Sequence, residues 1–133
     1  MAEENTNQPI RIMLVDDDKF LLDMYSLKFK KSNFIVEAFP TSTAALEKLR
    51  TGGEFDVILL DIIMPTMDGL EVLKHIRDEK LVPNAVIIML TNQADDFEKA
   101  KALVVDGYII KATTIPSEVV EQVTSIYNTK KKK

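Results

Sequence analysis

The sequence predicts an α/β domain built on a doubly wound parallel sheet with helices on both faces. Five short strand-like runs alternate along the chain with segments of helical period. Four of the runs have an uncharged apolar stretch that is followed directly by a polar residue. Such apolar stretches are typical of parallel strands buried on both faces, and strand–helix alternation implies right-handed crossovers. A chain of 133 residues is long enough for one domain with its own core.

The strands are predicted from short runs of apolar, β-branched and aromatic residues. They are Arg11–Val15, Phe34–Phe39, Val57–Leu60, Ala85–Leu90 and Tyr108–Ile110. Between and after them, apolar residues recur at the three- and four-residue spacing of one helix face. The five predicted helices are centred on residues 20–27, 44–49, 70–76, 97–104 and 119–127. Gly52 and Gly53 are expected to end the second helix, and Ser117 to cap the amino end of the last.

Composition narrows the class of protein. Apolar residues make up 46% of the chain and charged residues of both signs 29%, which argues against disorder. The absence of cysteine excludes disulfides and thiolate metal sites, and no apolar run approaches the roughly 18 residues of a membrane span. From these two absences we expect a cytoplasmic location and no membrane partner. The net charge of -4 gives no general attraction to nucleic acid, so we expect no direct nucleic-acid partner. We divide the chain into a disordered tail at 1–9, a domain at 10–128 and a lysine tail or linker stub at 129–133.

The polar residues that follow the strands predict the functional site. The carboxyl ends of parallel strands line one crevice, so Asp16, Asp17 and Asp61 are expected to meet there with Thr91 and Lys111. Clustered carboxylates repel one another unless a cation compensates their charge, and Mg²⁺ prefers oxygen ligands of this kind. Asp61 stands alone at the end of its strand and is the candidate nucleophile for a phosphoryl group. Lys111 and Thr91 are suited to neutralise and bind the phosphoryl oxygens.

Each of these residues also has a purely structural interpretation. A polar residue at a strand end often caps the next helix, which is the role we expect for Asp18 before the helix that begins near Lys19. Thr91 taken alone is more often a cap, and Lys111 taken alone is usually solvated. The lone His75 is expected at the surface rather than in a phosphate relay. The functional interpretation rests on the joint occurrence of these polar residues at separate strand ends.

The chain resembles the receiver domains of bacterial two-component response regulators over about residues 11–127. The motifs that carry this resemblance are Val15-Asp16-Asp17, Leu60-Asp61, Met64-Pro65, Asp68-Gly69, Leu90-Thr91 and Gly107-Tyr108-Ile109-Ile110-Lys111. The resemblance implies a flavodoxin-like (βα)5 fold with strand order 2-1-3-4-5. It also implies that the chain is a signalling receiver and not an enzyme that turns over a separate substrate.

The resemblance further implies a role for each site residue. Asp61 would be the phospho-acceptor. Asp17 would bind Mg²⁺ directly, Asp16 largely through water, and the backbone carbonyl of Ile63 would be a further metal ligand. Thr91 and Lys111 would contact the phosphoryl group.

Tyr108 would be the aromatic switch residue that turns inward when Thr91 moves; its structural alternative is a half-buried strand aromatic. The phosphoryl donor would be a sensor histidine kinase or a phosphotransfer protein. Output would then pass through the face made by the fourth helix, the fifth strand and the fifth helix, to a downstream protein or to a second copy of the chain.

Several residues depart from the family pattern. Ala112 stands where the family commonly has a proline joined by a cis peptide bond, so either the bond is trans and the loop is reshaped, or the site stores strain. Asn92 replaces a small residue, and the interval from Thr91 to Lys111 is slightly short. Ile63 is apolar at a position that tunes self-dephosphorylation, which predicts a long-lived phosphoryl group.

Two alternatives remain open at this point. A haloacid-dehalogenase-type Mg²⁺ phosphatase would use Asp16 as nucleophile and Asp18 as acid/base, although Phe20 stands where that family has threonine. A degenerate receiver would only bind partners; Ala112 leaves this possible, whereas the intact acids argue against it.

Overall fold

The predicted parallel sheet is present. The computed structural model describes residues 9–91 and 105–131, and in these ranges five parallel strands form one sheet of order β2-β1-β3-β4-β5. The strands are β1 (Arg11–Val15), β2 (Ile35–Phe39), β3 (Val57–Asp61), β4 (Val86–Thr91) and β5 (Gly107–Ile110). The helices are α1 (Lys19–Lys31), α2 (Ser42–Arg50), α3 (Gly69–Asp78) and a C-terminal helix (Pro116–Lys131). The predicted helix at 97–104 lies outside the described residues.

Two apolar layers lie on opposite faces of the sheet. Side chains alternate between the faces along each strand, so Met13 and Val15 of β1 enter one layer while Ile12 and Leu14 enter the other. The first layer packs against α2 and α3, and the second against α1 and the C-terminal helix. This arrangement covers both faces and leaves the carboxyl ends of the strands as the open edge. None of the helices in the described ranges has the length and hydropathy needed to cross a membrane.

We predicted two residues that cap the amino ends of helices, and the structure confirms Asp18 but not Ser117. Asp18 caps α1, where its Oδ1 accepts a hydrogen bond from the Leu21 amide at 3.2 Å. The prediction that Ser117 caps the last helix is wrong, because that helix already begins at Pro116. Proline suits the first helical position since its missing N–H has no partner to lose there. The Glu118 carboxylate accepts the Ile115 amide at 3.1 Å instead.

The C-terminal helix runs through Lys131, three residues into the segment 129–133 that we assigned to a lysine tail or linker stub. The Lys130 ammonium lies 3.2 Å from the Asp106 carboxylate, and the Lys131 ammonium donates to the Asn84 carbonyl at 3.1 Å. These two lysines therefore belong to the folded helix. The division of the whole chain into tail, domain and stub stays a prediction.

Candidate functional site

The carboxylates of Asp16, Asp17 and Asp61 come together at the open edge of the sheet. One oxygen from each lies within 4.8 Å of the others. The strand register explains why Asp16 and Asp61 are close. The strands β1 and β3 are neighbours in which Val15 pairs with Leu60, and each of these two residues is followed directly by an aspartate. The Asp16 Oδ1 also accepts the Asp18 amide at 2.9 Å, which orients the Asp16 carboxylate.

Lys111 reaches the same cluster from β5. Its ammonium lies 2.8 Å from Asp16 Oδ2 and 3.4 Å from Asp61 Oδ1, and all three side chains are no more than 7% exposed. Since β4 separates β5 from β3, only a long side chain can span this distance. Lys111 opens a short 3-10 turn, Lys111–Thr113, and no described peptide bond is cis, so the alternative with a trans Lys111–Ala112 bond is the one observed.

The loop between β3 and α3 folds back against the site. The Gly69 amide donates to the Ile62 carbonyl at 2.7 Å. A Cβ on Gly69 would lie 2.1 Å from the Asp61 carbonyl oxygen, so only glycine permits this approach. Ile63 is 53% exposed and lines a cavity of about 320 Å³ together with the acids, Leu21 and Lys111. This loop thus contributes Ile63 to the wall of the site.

Burial and neighbouring charges shift the pKa values of Asp61 and Lys111. Burial raises the pKa of Asp61 to about 7; Lys111 opposes the increase, and the neighbouring charge of Asp16 adds to it. Burial also disfavours the charged form of Lys111, but its hydrogen bond to Asp16 and the charge of Asp61 outweigh burial and raise the pKa of Lys111. Three carboxylates against one ammonium leave an excess of negative charge in a partly enclosed cavity.

The donor set fits a divalent cation. Carboxylate oxygens in this number and at this separation are the ligands that hard ions such as Mg²⁺ take, usually with water in the remaining positions. A cation would also return Asp61 to its ionised form by supplying opposite charge. The three carboxylates therefore form a cluster that could hold such an ion.

The remaining predicted residues lie around this cluster at different distances along the sheet. Thr91 ends β4 and is fully buried, one residue beyond the Leu90 that pairs with Asp61. Tyr108 pairs with Met89 and is partly buried against the apolar layer of α2 and α3. His75 of α3 is not at the site; its ring lies 3.2 Å from the carboxylate of Glu79, the residue that follows this helix.

Sequence reasoning missed Tyr25. This α1 residue is only 3% exposed, and it lines a cavity with Lys111 beside the acids. Its only sequence signal was the helical spacing from Leu21, which by itself predicts a core position.

The phosphatase alternative is not favoured. It required Asp18 as the acid/base, but the Asp18 carboxylate is engaged in capping α1. The assembled acids and Lys111 also argue against a degenerate receiver.

Known proteins give the same assignment. The sequence profile of the response regulator receiver domain matches residues 12–124. The transcriptional regulatory protein ResD of Bacillus subtilis is 30% identical over 125 residues, which cover 92% of this chain and 50% of that protein. The chain thus spans half the length of this relative.

Solved structures of receiver domains share the fold. A CheY-like response regulator receiver domain protein from Methanospirillum hungatei superposes with a TM-score of 0.83 at 26% identity, covering 94% of this chain and 98% of the other. The chemotaxis response regulator CheY4 of Vibrio cholerae gives a TM-score of 0.80 at 26% identity, with 90% and 99% covered. The profile match, the relative and the shared fold show that this chain belongs to the response regulator receiver domain family.

Proposed function

We propose that the chain receives a phosphoryl group on the Asp61 carboxylate and passes the signal on by changing its surface. The observation that carries this proposal is the placement of Asp61: a buried carboxylate beside two further acids and within 3.4 Å of the Lys111 ammonium. A carboxylate in that setting has one side open to the cavity for an incoming phosphoryl group. The donor would be a phosphohistidine on a sensor histidine kinase or on a phosphotransfer protein.

The transfer itself is a displacement at phosphorus. A carboxylate oxygen of Asp61 attacks the phosphorus atom, a P–O bond forms, the P–N bond to the histidine breaks, and the imidazole leaves with the bonding pair and takes a proton. Lys111 neutralises charge on the phosphoryl oxygens, and we assign the Thr91 hydroxyl to the same group. Asp16, Asp17, Asp61 and the Ile63 carbonyl would hold Mg²⁺, which supplies further neutralisation of the transferred charge when bound.

The output follows from the added charge. A phosphoryl group brings up to about two negative charges and new acceptor oxygens, which favour packings that turn Thr91 and Tyr108 toward the site. The face around β5 and the C-terminal helix would then bind a downstream protein or a second copy of the chain. We also propose a cytoplasmic location and no turnover of a separate substrate beyond the gain and loss of the phosphoryl group.

Intact mass tests the proposal. The protein is incubated with Mg²⁺ and acetyl phosphate, and we expect a gain of one phosphoryl group that chelation of the cation prevents. Asp61→Asn should show no gain, whereas Asp23→Asn, which alters an exposed aspartate on α1, should behave as the wild type. A gain that persists in Asp61→Asn would refute Asp61 as the acceptor. Steady phosphate release that depends on Asp16 but not on Asp61 would revive the phosphatase alternative.

A further inference from the structure

A second cavity adjoins the acidic one. It has a volume of about 420 Å³ and lies between α1 and the segment 111–116 that follows β5. Leu21 and Lys111 line both this cavity and the acidic cavity. Lys111 therefore contributes to the walls of both cavities, and its ammonium lies 2.8 Å from Asp16 and 3.4 Å from Asp61.

Tyr25 belongs to the wall of this second cavity. Its side chain comes from the buried face of α1, together with the apolar residues Leu22 and Phe29. Within the described ranges, the Tyr25 hydroxyl forms no hydrogen bond, and it is not among the fully enclosed polar atoms that lack a partner. A buried tyrosine normally places its hydroxyl on a partner or toward space that water can enter. The hydroxyl therefore opens to the cavity.

The electrostatics of Tyr25 support its closeness to Lys111. Burial raises the pKa of Tyr25, and of the charges that act on its hydroxyl the strongest is Lys111, which opposes that increase. The weaker contributions come from the acids of the site, Asp16 and Asp61 before Asp18. Lys111 is thus the charged residue of the site that most affects Tyr25, and the two residues line the same cavity.

We propose that Tyr25 is a positioning residue for the phosphoryl transfer, whose hydroxyl holds the Lys111 ammonium from the side opposite Asp16 and Asp61. This inference rests on the function proposed above. An ammonium group has three N–H donors, and that of Lys111 lies at ion-pair distance from two carboxylates, 2.8 Å from Asp16 and 3.4 Å from Asp61. A phenol oxygen can accept one of these N–H groups through a water in the cavity, and being neutral it does not draw the ammonium away from the phosphoryl oxygens. In this way Tyr25 would keep the Lys111 ammonium in place beside Asp61 while Asp61 changes from a carboxylate to an acyl phosphate.

The first test compares two tyrosine substitutions that each remove only a hydroxyl. Tyr25→Phe should phosphorylate with acetyl phosphate and Mg²⁺ more slowly by roughly three- to tenfold, the range that corresponds to one hydrogen bond. Tyr127→Phe is the matched control, because Tyr127 lies on the C-terminal helix beside Lys131. We expect its rate to match that of the wild type. Equal rates for Tyr25→Phe and wild type would overturn the inference.

The second test separates positioning from packing. The ¹⁵N resonance of the Lys111 ammonium, assigned by its loss in Lys111→Met, should shift in Tyr25→Phe and stay in place in Tyr127→Phe. This signal is read on the folded protein, so a lowered unfolding temperature does not obscure it. A slower Tyr25→Phe with an unchanged Lys111 resonance would reduce Tyr25 to a packing role and overturn the inference. A wild type that gains no phosphoryl mass would refute the proposed function itself, which is a different result.

Discussion

At the scale of single residues, the main feature of the site is Asp61, whose ionised form is disfavoured by its surroundings. Asp61 is 5% exposed and lies at the carboxyl end of the central strand β3. Burial and two neighbouring acids favour its protonated form, while Lys111 alone opposes them. A bound cation would favour the ionised form of Asp61, so the proposed phosphorylation should depend on the ion by electrostatics as well as by ligation.

The raised pKa of Asp61 predicts a pH-dependent stability in the metal-free protein. Between about pH 4 and pH 7 the folded state binds a proton that the unfolded chain has released, so the free energy of unfolding falls as the pH rises through this window. In EDTA at pH 8, Asp61→Asn should be more stable than the wild type, by about 2 to 4 kcal/mol. At pH 4 the two should be nearly equal.

Urea unfolding at the two pH values measures this difference. Asp23→Asn, at an exposed site, controls for the loss of one negative charge. Added Mg²⁺ should raise the stability of the wild type at pH 8 and leave Asp61→Asn less affected, because a ligand stabilises only the state that binds it. Equal stabilities of wild type and Asp61→Asn in EDTA at pH 8 would contradict the prediction.

Ile63 predicts a slow loss of the phosphoryl group. Its side chain is 53% exposed at the mouth of the acidic cavity, where hydrolysis requires an oriented water. An apolar side chain neither donates to nor accepts from water, whereas an amide does both. Ile63→Asn should shorten the lifetime of the phosphoryl group by roughly three- to tenfold. The decay of the phosphorylated mass after removal of the donor measures it, with Ile63→Leu as control; rapid decay in wild type and both variants alike would contradict it.

At the scale of elements, the edge of the sheet at β5 depends on one aspartate. β5 begins at Gly107, which pairs with Ile88, so the fully buried Ile87 of β4 has no β5 residue beside it. Asp106 makes two hydrogen bonds with Ile87 in place of a strand partner. Its carboxylate accepts a hydrogen bond from the Ile87 amide at 2.8 Å, and its own amide donates to the Ile87 carbonyl at 2.8 Å. Lys130 of the C-terminal helix then pairs with the same carboxylate.

Asp106 is therefore predicted to matter more as a hydrogen-bond acceptor than as a charge. Asp106→Ala leaves a buried amide without a partner and should lower the free energy of unfolding by about 1 to 3 kcal/mol. Lys130→Met removes only a partly exposed ion pair and should cost at most about 1 kcal/mol. Asp106→Asn keeps an acceptor oxygen and should resemble Lys130→Met. Urea unfolding ranks the three variants, and an Asp106→Asn as unstable as Asp106→Ala would show that charge dominates.

The elements themselves were largely predictable. The buried strands are uncharged apolar runs because helices cover both sheet faces, and Asp18 could be identified as a cap because its carboxylate precedes an apolar helical period. Ser117 was predicted wrongly because a cap signal and a proline signal overlap by one residue, and the proline determined where the helix begins. The pairing of Lys130 with Asp106 was not predictable, because the two residues meet only when the last helix packs beside β5.

At the scale of the whole molecule, the sheet divides the described buried apolar residues into two layers, one on each face. Leu73 on α3 lies in one layer and Leu22 on α1 in the other, and both are nearly inaccessible to solvent. Each layer therefore stabilises the fold through its own contacts with the sheet.

The two layers should contribute independently to stability. Leu73→Ala and Leu22→Ala should each lower the free energy of unfolding by about 2 to 5 kcal/mol. Their effects should add within about 0.5 kcal/mol, as expected for distant sites. Leu27→Ala is the matched control, since Leu27 is 57% exposed on α1 and should cost much less. A double variant far more stable than the sum predicts would mean that the layers are coupled.

The sequence by itself determined the fold class, the strand order through its family resemblance, and the list of polar residues at the strand ends. It could do so because buried parallel strands leave an apolar pattern, and because chemistry at such an edge needs acids, a hydroxyl and a lysine close to the strand termini. Only the tertiary structure decided how these residues meet. The register of β1 on β3 brings Asp16 beside Asp61, and Lys111 crosses the end of β4 to reach both. The placement of Lys111 and Tyr25 in the wall of one cavity depends on how α1 packs against the turn after β5, and no local pattern encodes that packing.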